Sequence, residues 1–261
     1  MVKAIFWGIL QGITEFLPIS SSGHLIIFSW LFKERMPLDY VAFLHGGTLL
    51  ALLFYFGKEW FKFIRAGILS IKEKNINSSE KKIFWLILLA TLPGAVLGKM
   101  SEAKIEKIFY HPLSVALNMG GFAILFYFIE KISRKNKSIE SLNIYQAFFI
   151  GIMQALAVIP GISRSGITIA GGLLLGLSRE NAVKFSFYLS APIILGAFLL
   201  KYVEFFEGRF SHPLVLGFFS SLLAGLCSIH FLIRFVQKHS FNIFIIYRLI
   251  ISILVITIFL L

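Results

Sequence analysis

The sequence predicts an all-α, polytopic membrane protein whose halves form an inverted repeat, with two re-entrant helix hairpins meeting near the bilayer midplane. Three observations carry this prediction: long runs without a charged residue, an uneven spread of basic residues between those runs, and a gap-free internal repeat.

Hydrophobic residues make up 57% of the 261 positions and charged ones only 15%, where a soluble chain carries about a quarter charged. No Lys, Arg, Asp or Glu occurs within 16–32, 40–57, 83–98, 108–129, 165–178, 185–200 or 210–233. Several of these runs reach the roughly 17–25 apolar residues that cross a bilayer as a helix. The net charge of +12 resides in short segments between them, which argues against a nucleic-acid partner and for contact with anionic headgroups. The first residues do not form a cleavable signal: Lys3 is a weak charged region and Glu15 interrupts the apolar run. Cys227, the single cysteine, excludes a disulfide within the chain.

Taken in order, the elements follow from loop charge. Residues 58–82 carry Lys58, Lys62, Arg65, Lys72, Lys74, Lys81 and Lys82 against Glu59, Glu73 and Glu80, and 131–140 are also strongly basic. Both read as cytoplasmic loops. The mixed-charge loops 99–112 and 201–213 suit the outer face, and Arg234, Lys238 and His239 return the chain inside before a last span at about 242–261. Between 141 and 201, three apolar segments are broken at Pro160–Ser165 and Ser178–Lys184. The first two are short enough for two short spans or a re-entrant hairpin. Because the first break carries Pro, Gly, Ser and Arg, they read as a re-entrant pair with its turn near mid-membrane, where irregular backbone must be buried in protein or line a wet cavity.

The repeat supports this. Gly8-Ile9-Leu10-Gln11 aligns with Gly151-Ile152-Met153-Gln154, and Ile19-Ser20-Ser21-Ser22-Gly23 with Ile162-Ser163-Arg164-Ser165-Gly166. Both pairings use one offset, 154 − 11 = 143 and 163 − 20 = 143. From Gly8 to Ile26, eight of 19 positions are identical. A span from about 38 to 57 follows the first copy and must end inside, so its hairpin enters from outside and the second from inside. The whole chain, 1–261, is then one integral membrane domain, with repeats at about 1–130 and 141–261. In inverted-repeat folds the broken helices meet at the midplane and build the site there.

Four groups inside the apolar runs bear on chemistry. Gln11 and Glu15 lie one helical turn apart, and a carboxylate at membrane depth faces a cavity or a partner. Its plain structural alternative is an ion pair with Arg164. Ser20, Ser21 and Ser22 follow Pro18 and precede Gly23 and His24, a turn into a helix N-terminus whose free amides can hold an oxyanion. Histidine there can pass protons near neutral pH. Ser163, Arg164, Ser165, Gly166 and Thr168 repeat the turn and add a guanidinium, whose fork matches phosphate oxygens. Arg248, in the last span, lies near enough to the cytoplasmic end to snorkel. The other histidines, His45 among them, show no metal-ligand spacing. The first three groups together call for a phosphorylated lipid, with Mg²⁺ or Ca²⁺ between Glu15 and the phosphate.

These residues resemble the signature of the undecaprenyl-diphosphate phosphatases, also called bacitracin-resistance proteins. The family's (Glu/Gln)-x-x-x-Glu motif matches Gln11 and Glu15, its serine turn and histidine match Ser20 to His24, and its Pro-Gly-x-Ser-Arg-Ser-x-x-Thr motif matches Pro160 to Thr168. The resemblance implies hydrolysis of the terminal phosphate of undecaprenyl diphosphate, recycling the carrier lipid for cell-wall synthesis, in a multi-pass protein of the bacterial cell membrane. It further implies dependence on a divalent cation, a site open toward the outer face, and interlocked inverted repeats. Carried over, Arg164, Ser163 and Ser165 bind the diphosphate with help from Thr168, Gly166, Ser20 and Ser22. Glu15, with Gln11, holds the metal or orients the nucleophile, and Ser21 or His24 attacks phosphorus or transfers the proton, His24 being the first choice and Ser21 its rival. Where the motif allows glutamate or glutamine this chain has Gln11, which shifts the burden onto Glu15. The partners expected are the isoprenoid lipid diphosphate, the bilayer and, as an arrangement the sequence permits, a second copy in a homodimer. The alternative is a lipid-phosphate transporter or flippase, which inverted repeats also serve.

Overall fold

The computed structural model describes residues 1–34, 36–206 and 212–261, with side chains at all of these except 38, 39, 101–107 and 200–206. The helices are α1 (Val2–Phe16), α2 (Ser21–Leu31), α3 (Leu38–Tyr55), α4 (Gly57–Glu73), α5 (Ser79–Phe109), α6 (Pro112–Ile132), α7 (Ile144–Ala155), α8 (Arg164–Leu174), α9 (Arg179–Phe206), α10 (His212–Lys238) and α11 (Asn242–Leu260). Among the described residues five helices are long and apolar enough to cross a membrane, in α5, α6, α9, α10 and α11. The pair α3 and α4, bent by 82° at Phe56, makes a sixth if counted as one span.

Two predicted loops are helical. Of residues 58–82, read as a cytoplasmic loop, 58–73 lie in α4 and 79–82 begin α5, which leaves 74–78 as the connection. Phe63, Ala66, Gly67 and Ser70 recur at helical spacing and are buried, while lysines take the other face. Net basicity hid that periodicity. The outer loop read at 99–112 is helix as far as Phe109, and the loop read at 201–213 lies partly outside the described residues.

The helices that carry the two sequence repeats are too short to cross. At about 1.5 Å per residue, the 15 residues of α1 and the 12 of α7 fall well short of a hydrocarbon core of about 30 Å. Each doubles back through a turn into an 11-residue helix, α2 or α8. The pair α1/α2 opens where Lys3 meets Glu34 at 3.0 Å, beside the start of α10, since Gly217 packs against Ala4. The pair α7/α8 opens at the far end. There Asn136 and Lys137 donate to the Gly176 carbonyl and Ser178 donates to that of Lys137. Glu180 accepts from Gln237 near the end of α10. Lys82 also donates to the Glu140 carbonyl at 2.8 Å, so the segments 82, 131–140, 176–184 and 237–238 share one end of the molecule.

Glycine sets the approach of these short helices to their supports. A Cβ on Gly8 would lie 2.2 Å from the Gly217 carbonyl of α10, and one on Gly151 would lie 2.6 Å from the Ala90 carbonyl of α5. Both contacts are backbone to backbone, so no side chain can yield. Small residues allow such approaches between membrane helices, and here α1 lies along α10 while α7 lies along α5. Between them, Phe16, Phe126, Phe185 and Phe187 are fully buried in the main apolar core.

Candidate functional site

The two turns have the same local build. Ser20 and Ser163 each take a left-handed backbone, φ 78° and 79°, which serine adopts only where the surroundings enforce it. Each caps its helix, accepting from Gly23 N at 3.2 Å or Gly166 N at 3.1 Å. The cap consumes the third amide of each helix. The amides left at the helix starts are those of Ser21 and Ser22 in α2 and of Arg164 and Ser165 in α8, so Gly166 shapes its turn through a cap bond and offers no free N–H.

Tertiary structure brings the turns into contact. Arg164 Nη2 donates to Glu15 Oε1 at 2.5 Å, and Ser165 Oγ donates to the Leu17 carbonyl at 3.1 Å. The ion pair offered above as the structural alternative for Glu15 is therefore present. It does not exhaust either group. Ser21 Oγ donates to Glu15 Oε2 at 2.6 Å and Gln11 Nε2 donates to the same oxygen at 2.9 Å. His45, on α3, holds Nδ1 on the Val41 carbonyl at 2.8 Å and turns Nε2 to within 3.4 Å of Glu15 Oε2. One carboxylate, with 5% of its side chain exposed, thus gathers an arginine, a serine, an amide and an imidazole.

Two polar atoms in this cluster stay unpaired. Arg164 Nη1 and Gln11 Oε1 are buried without a hydrogen-bond partner. Such atoms are rare in folded proteins, and each calls for a physical reason. A donor on a guanidinium and an acceptor beside a carboxylate are what an anion and a cation, respectively, would engage. The surface is near: Ser22 is exposed, Ser21 partly so, and the His45 and Arg164 side chains are 28% and 14% exposed.

Other predicted residues stand one step away. Thr168 Oγ1 donates to the Arg164 carbonyl at 2.8 Å and lies 2.6 Å from Ser186 Oγ, so it braces the first turn of α8. Ser163 Oγ lies 3.2 Å from Ser165 Oγ, and Ser20 Oγ 3.4 Å from Ser22 Oγ. His24 is buried with both ring nitrogens engaged. A carbonyl can only accept, so Nδ1 carries the hydrogen toward Ser20 O at 2.7 Å. In the neutral ring Nε2 then accepts from Tyr247 at 2.8 Å. Its hydrogen bonds run to Ser20 and Tyr247, not to Glu15, Ser21 or Arg164.

Three residues that the sequence left without a site role are His45, Tyr247 and Arg248. His45 sits in an uncharged apolar run, and an ionisable residue at membrane depth is by itself a functional signal, although it has no metal-ligand spacing to mark it. Tyr247 is visible only through its contact with His24. Arg248 was expected to snorkel, and it does not. It is fully buried and bonded to the Met119, Pro18 and Gly161 carbonyls. The backbone freed at the two turns needs donors, and three fixed carbonyls hold the guanidinium better than a reach to the surface.

Fold and site together define a multi-pass α-helical membrane protein whose arginine–carboxylate–serine cluster is built where two helix hairpins join. The chain belongs to the bacitracin resistance protein family: the family described as Bacitracin resistance protein BacA matches residues 4–254. It is similar to the undecaprenyl-diphosphatase of Caldicellulosiruptor bescii, 46% identical over 99% of this chain and 97% of that protein. Similar matches are the undecaprenyl-diphosphatases of Elusimicrobium minutum, 41% identical over 98% of this chain and 96% of that protein, and of Desulforudis audaxviator, 41% identical over 99% and 98%.

Proposed function

We propose that this chain hydrolyses undecaprenyl diphosphate to undecaprenyl phosphate and inorganic phosphate, recycling the carrier lipid for cell-wall synthesis in the bacterial cell membrane. Family membership supports the activity. The observation that carries the mechanism is the 2.6 Å bond from Ser21 to a carboxylate already paired with Arg164. A transporter needs groups that bind phosphate, but a serine held on a carboxylate is a nucleophile beside its base.

Ser21 Oγ attacks the terminal phosphorus as its proton passes to Glu15 Oε2. The new Oγ–P bond forms as the bridging P–O bond breaks. Glu15 gives the proton to the departing lipid phosphate. In the second displacement water attacks phosphorus and releases Ser21, with Glu15 taking the water's proton and returning it to Ser21 Oγ. Arg164 Nη1 and the amides at the starts of α2 and α8 hold the phosphoryl oxygens, where charge develops. Ser163, Ser165 and Thr168 keep Arg164 in place, and Ser20 and Ser22 shape the opposite turn.

A divalent cation, Mg²⁺ or Ca²⁺, belongs to this proposal. The residues fit one: Gln11 Oε1 is a buried oxygen with no partner beside the Glu15 carboxylate, and both ions prefer oxygen ligands. Among the described residues no cluster of three His, Cys, Asp or Glu is present, so the substrate's own oxygens would complete the shell. Such an ion, when bound, neutralises diphosphate charge and screens it from Glu15. The halves of the chain are read as inverted, re-entrant repeats, supported by the 143-residue offset, the matched serine turns and hairpins that open at opposite ends of α10.

The test is phosphate release from farnesyl diphosphate by protein purified in detergent, with Mg²⁺ or Ca²⁺ and with chelator. Metal-dependent release without any membrane gradient is the expected result; binding without release would favour a transporter. His24 is assigned to holding Ser20 rather than to proton transfer. His24→Ala is expected to lower kcat less than about tenfold, below the roughly 10²–10⁴-fold of a general acid or base. A loss of about 10³-fold in that kcat would return His24 to the chemistry.

A further inference from the structure

Arg248 takes no direct part in the site, yet it touches the backbone of both turns. Its Nη1 donates to the Pro18 carbonyl at 3.3 Å, Nη2 to the Gly161 carbonyl at 2.7 Å and Nε to the Met119 carbonyl at 3.2 Å. Pro18 and Gly161 are the same position of the two repeats, since 161 − 18 = 143, and each lies two residues before its serine cap. Among the described residues no carboxylate lies within ion-pair distance of Arg248; the face of Phe122, 4.8 Å from its guanidinium carbon, is the remaining partner. A charged side chain kept in the apolar interior without an anion is costly, and these contacts offset that cost only while both carbonyls stay in place.

We infer that Arg248 is the positioning residue that fixes the two turns relative to each other, and so sets Arg164 on one turn against Glu15 and Ser21 on the other. This rests on the phosphatase reading of that cluster. The planar fork of arginine suits the task because it spans separate acceptors at fixed directions. Lysine, a single point of charge on a flexible stem, could satisfy the carbonyls in turn but could not hold both at a set spacing. Asn118, which donates to the Pro160 carbonyl at 2.9 Å, steadies only the second turn. The neighbouring Tyr247, through His24, steadies only the first. Arg248 alone among these bridges the repeats.

The experiment compares wild type with Arg248→Met and Arg248→Lys in detergent, reading kcat and KM for farnesyl diphosphate together with hydrogen exchange along the chain. In Arg248→Met, kcat is expected to fall about 100-fold, the loss that a misplacement of about 1 Å brings, while KM changes less than about threefold. Exchange should quicken in 16–24 and 159–167, with the long helices unchanged; a merely stabilising residue would loosen the whole molecule. Arg248→Lys should recover only part of kcat. Wild-type kcat in Arg248→Met, or exchange raised uniformly, would overturn the assignment. If the methionine variant does not fold, Arg248→Lys decides: wild-type kcat and turn exchange there would equally overturn it. Arg164→Ala in the same assay separates the two ideas. Full activity of that variant would sink the reading of the cluster, whereas the turn-specific exchange still reports the clamp.

Discussion

Ser21→Ala is expected to lower phosphate release from farnesyl diphosphate by at least about 10³-fold, leaving binding and thermal stability near wild type. The hydroxyl is the attacking atom in the proposed mechanism, and enzymes that lose a nucleophile keep only the rate supplied by binding and charge stabilisation. Ser21 is partly exposed and, among the described residues, its side chain bonds to Glu15 alone, at 2.6 Å, so alanine leaves no cavity in the core. Glu15 retains Arg164 and Gln11. A variant retaining a tenth or more of wild-type kcat would show that water attacks directly, with Glu15 as its base. Trapping settles the same point from the other side: acid quenching during turnover of terminally labelled substrate should leave label on wild type and none on Ser21→Ala.

Arg164→Ala is expected to cost about 10³-fold or more in kcat/KM, in the range of arginines that stabilise phosphoryl transfer. Two effects act together. The donor Nη1, which has no hydrogen-bond partner among the described residues, is lost, and Glu15 is left without the guanidinium that pairs with it. The second effect also threatens stability, because a buried carboxylate stripped of its pair is strongly unfavourable. Pairing the variant with Glu15→Gln separates them: the double variant should regain thermal stability but no activity. Arg164→Lys keeps the charge but loses the fork that can hold Glu15 and phosphate at once, and should recover no more than about a tenth of the rate. Full activity in Arg164→Lys would mean that point charge alone suffices. Full activity in Arg164→Ala would remove it from the site.

Much of this protein is legible in its sequence because a bilayer restricts the solutions. Polar backbone in hydrocarbon must pair internally, so uncharged runs become helices. Where such a run holds Pro160 and Gly161, or three serines in succession, the helix must break. The 143-residue offset carried over into matched serine caps, down to a left-handed φ within one degree at Ser20 and Ser163. Local chemistry explains the caps, since a serine that caps its own helix needs only the residues beside it, while the packing around both turns holds the left-handed backbone. Glu15, Ser21 and Arg164 were visible for a related reason, since costly polar groups in apolar runs mark themselves.

What local sequence determined, then, was the helical membrane class, the two broken hairpins and the residues at their turns. Tertiary structure decided which groups meet beyond Gln11 with Glu15, and whether the Glu15–Arg164 pair that the sequence allowed is made. Glu15 and Arg164 are 149 positions apart and paired, and a further partner, His45, comes from a helix with no motif of its own. Residues 58–73 became a helix because burial of one face outweighed the charge on the other. The sharpest difference is Arg248, whose sequence neighbourhood is that of a snorkelling residue. Its direction was set by three carbonyls from α6 and both turns, none within 80 positions of it. A side chain's partner at that separation is fixed by packing, and no periodicity along the chain records it.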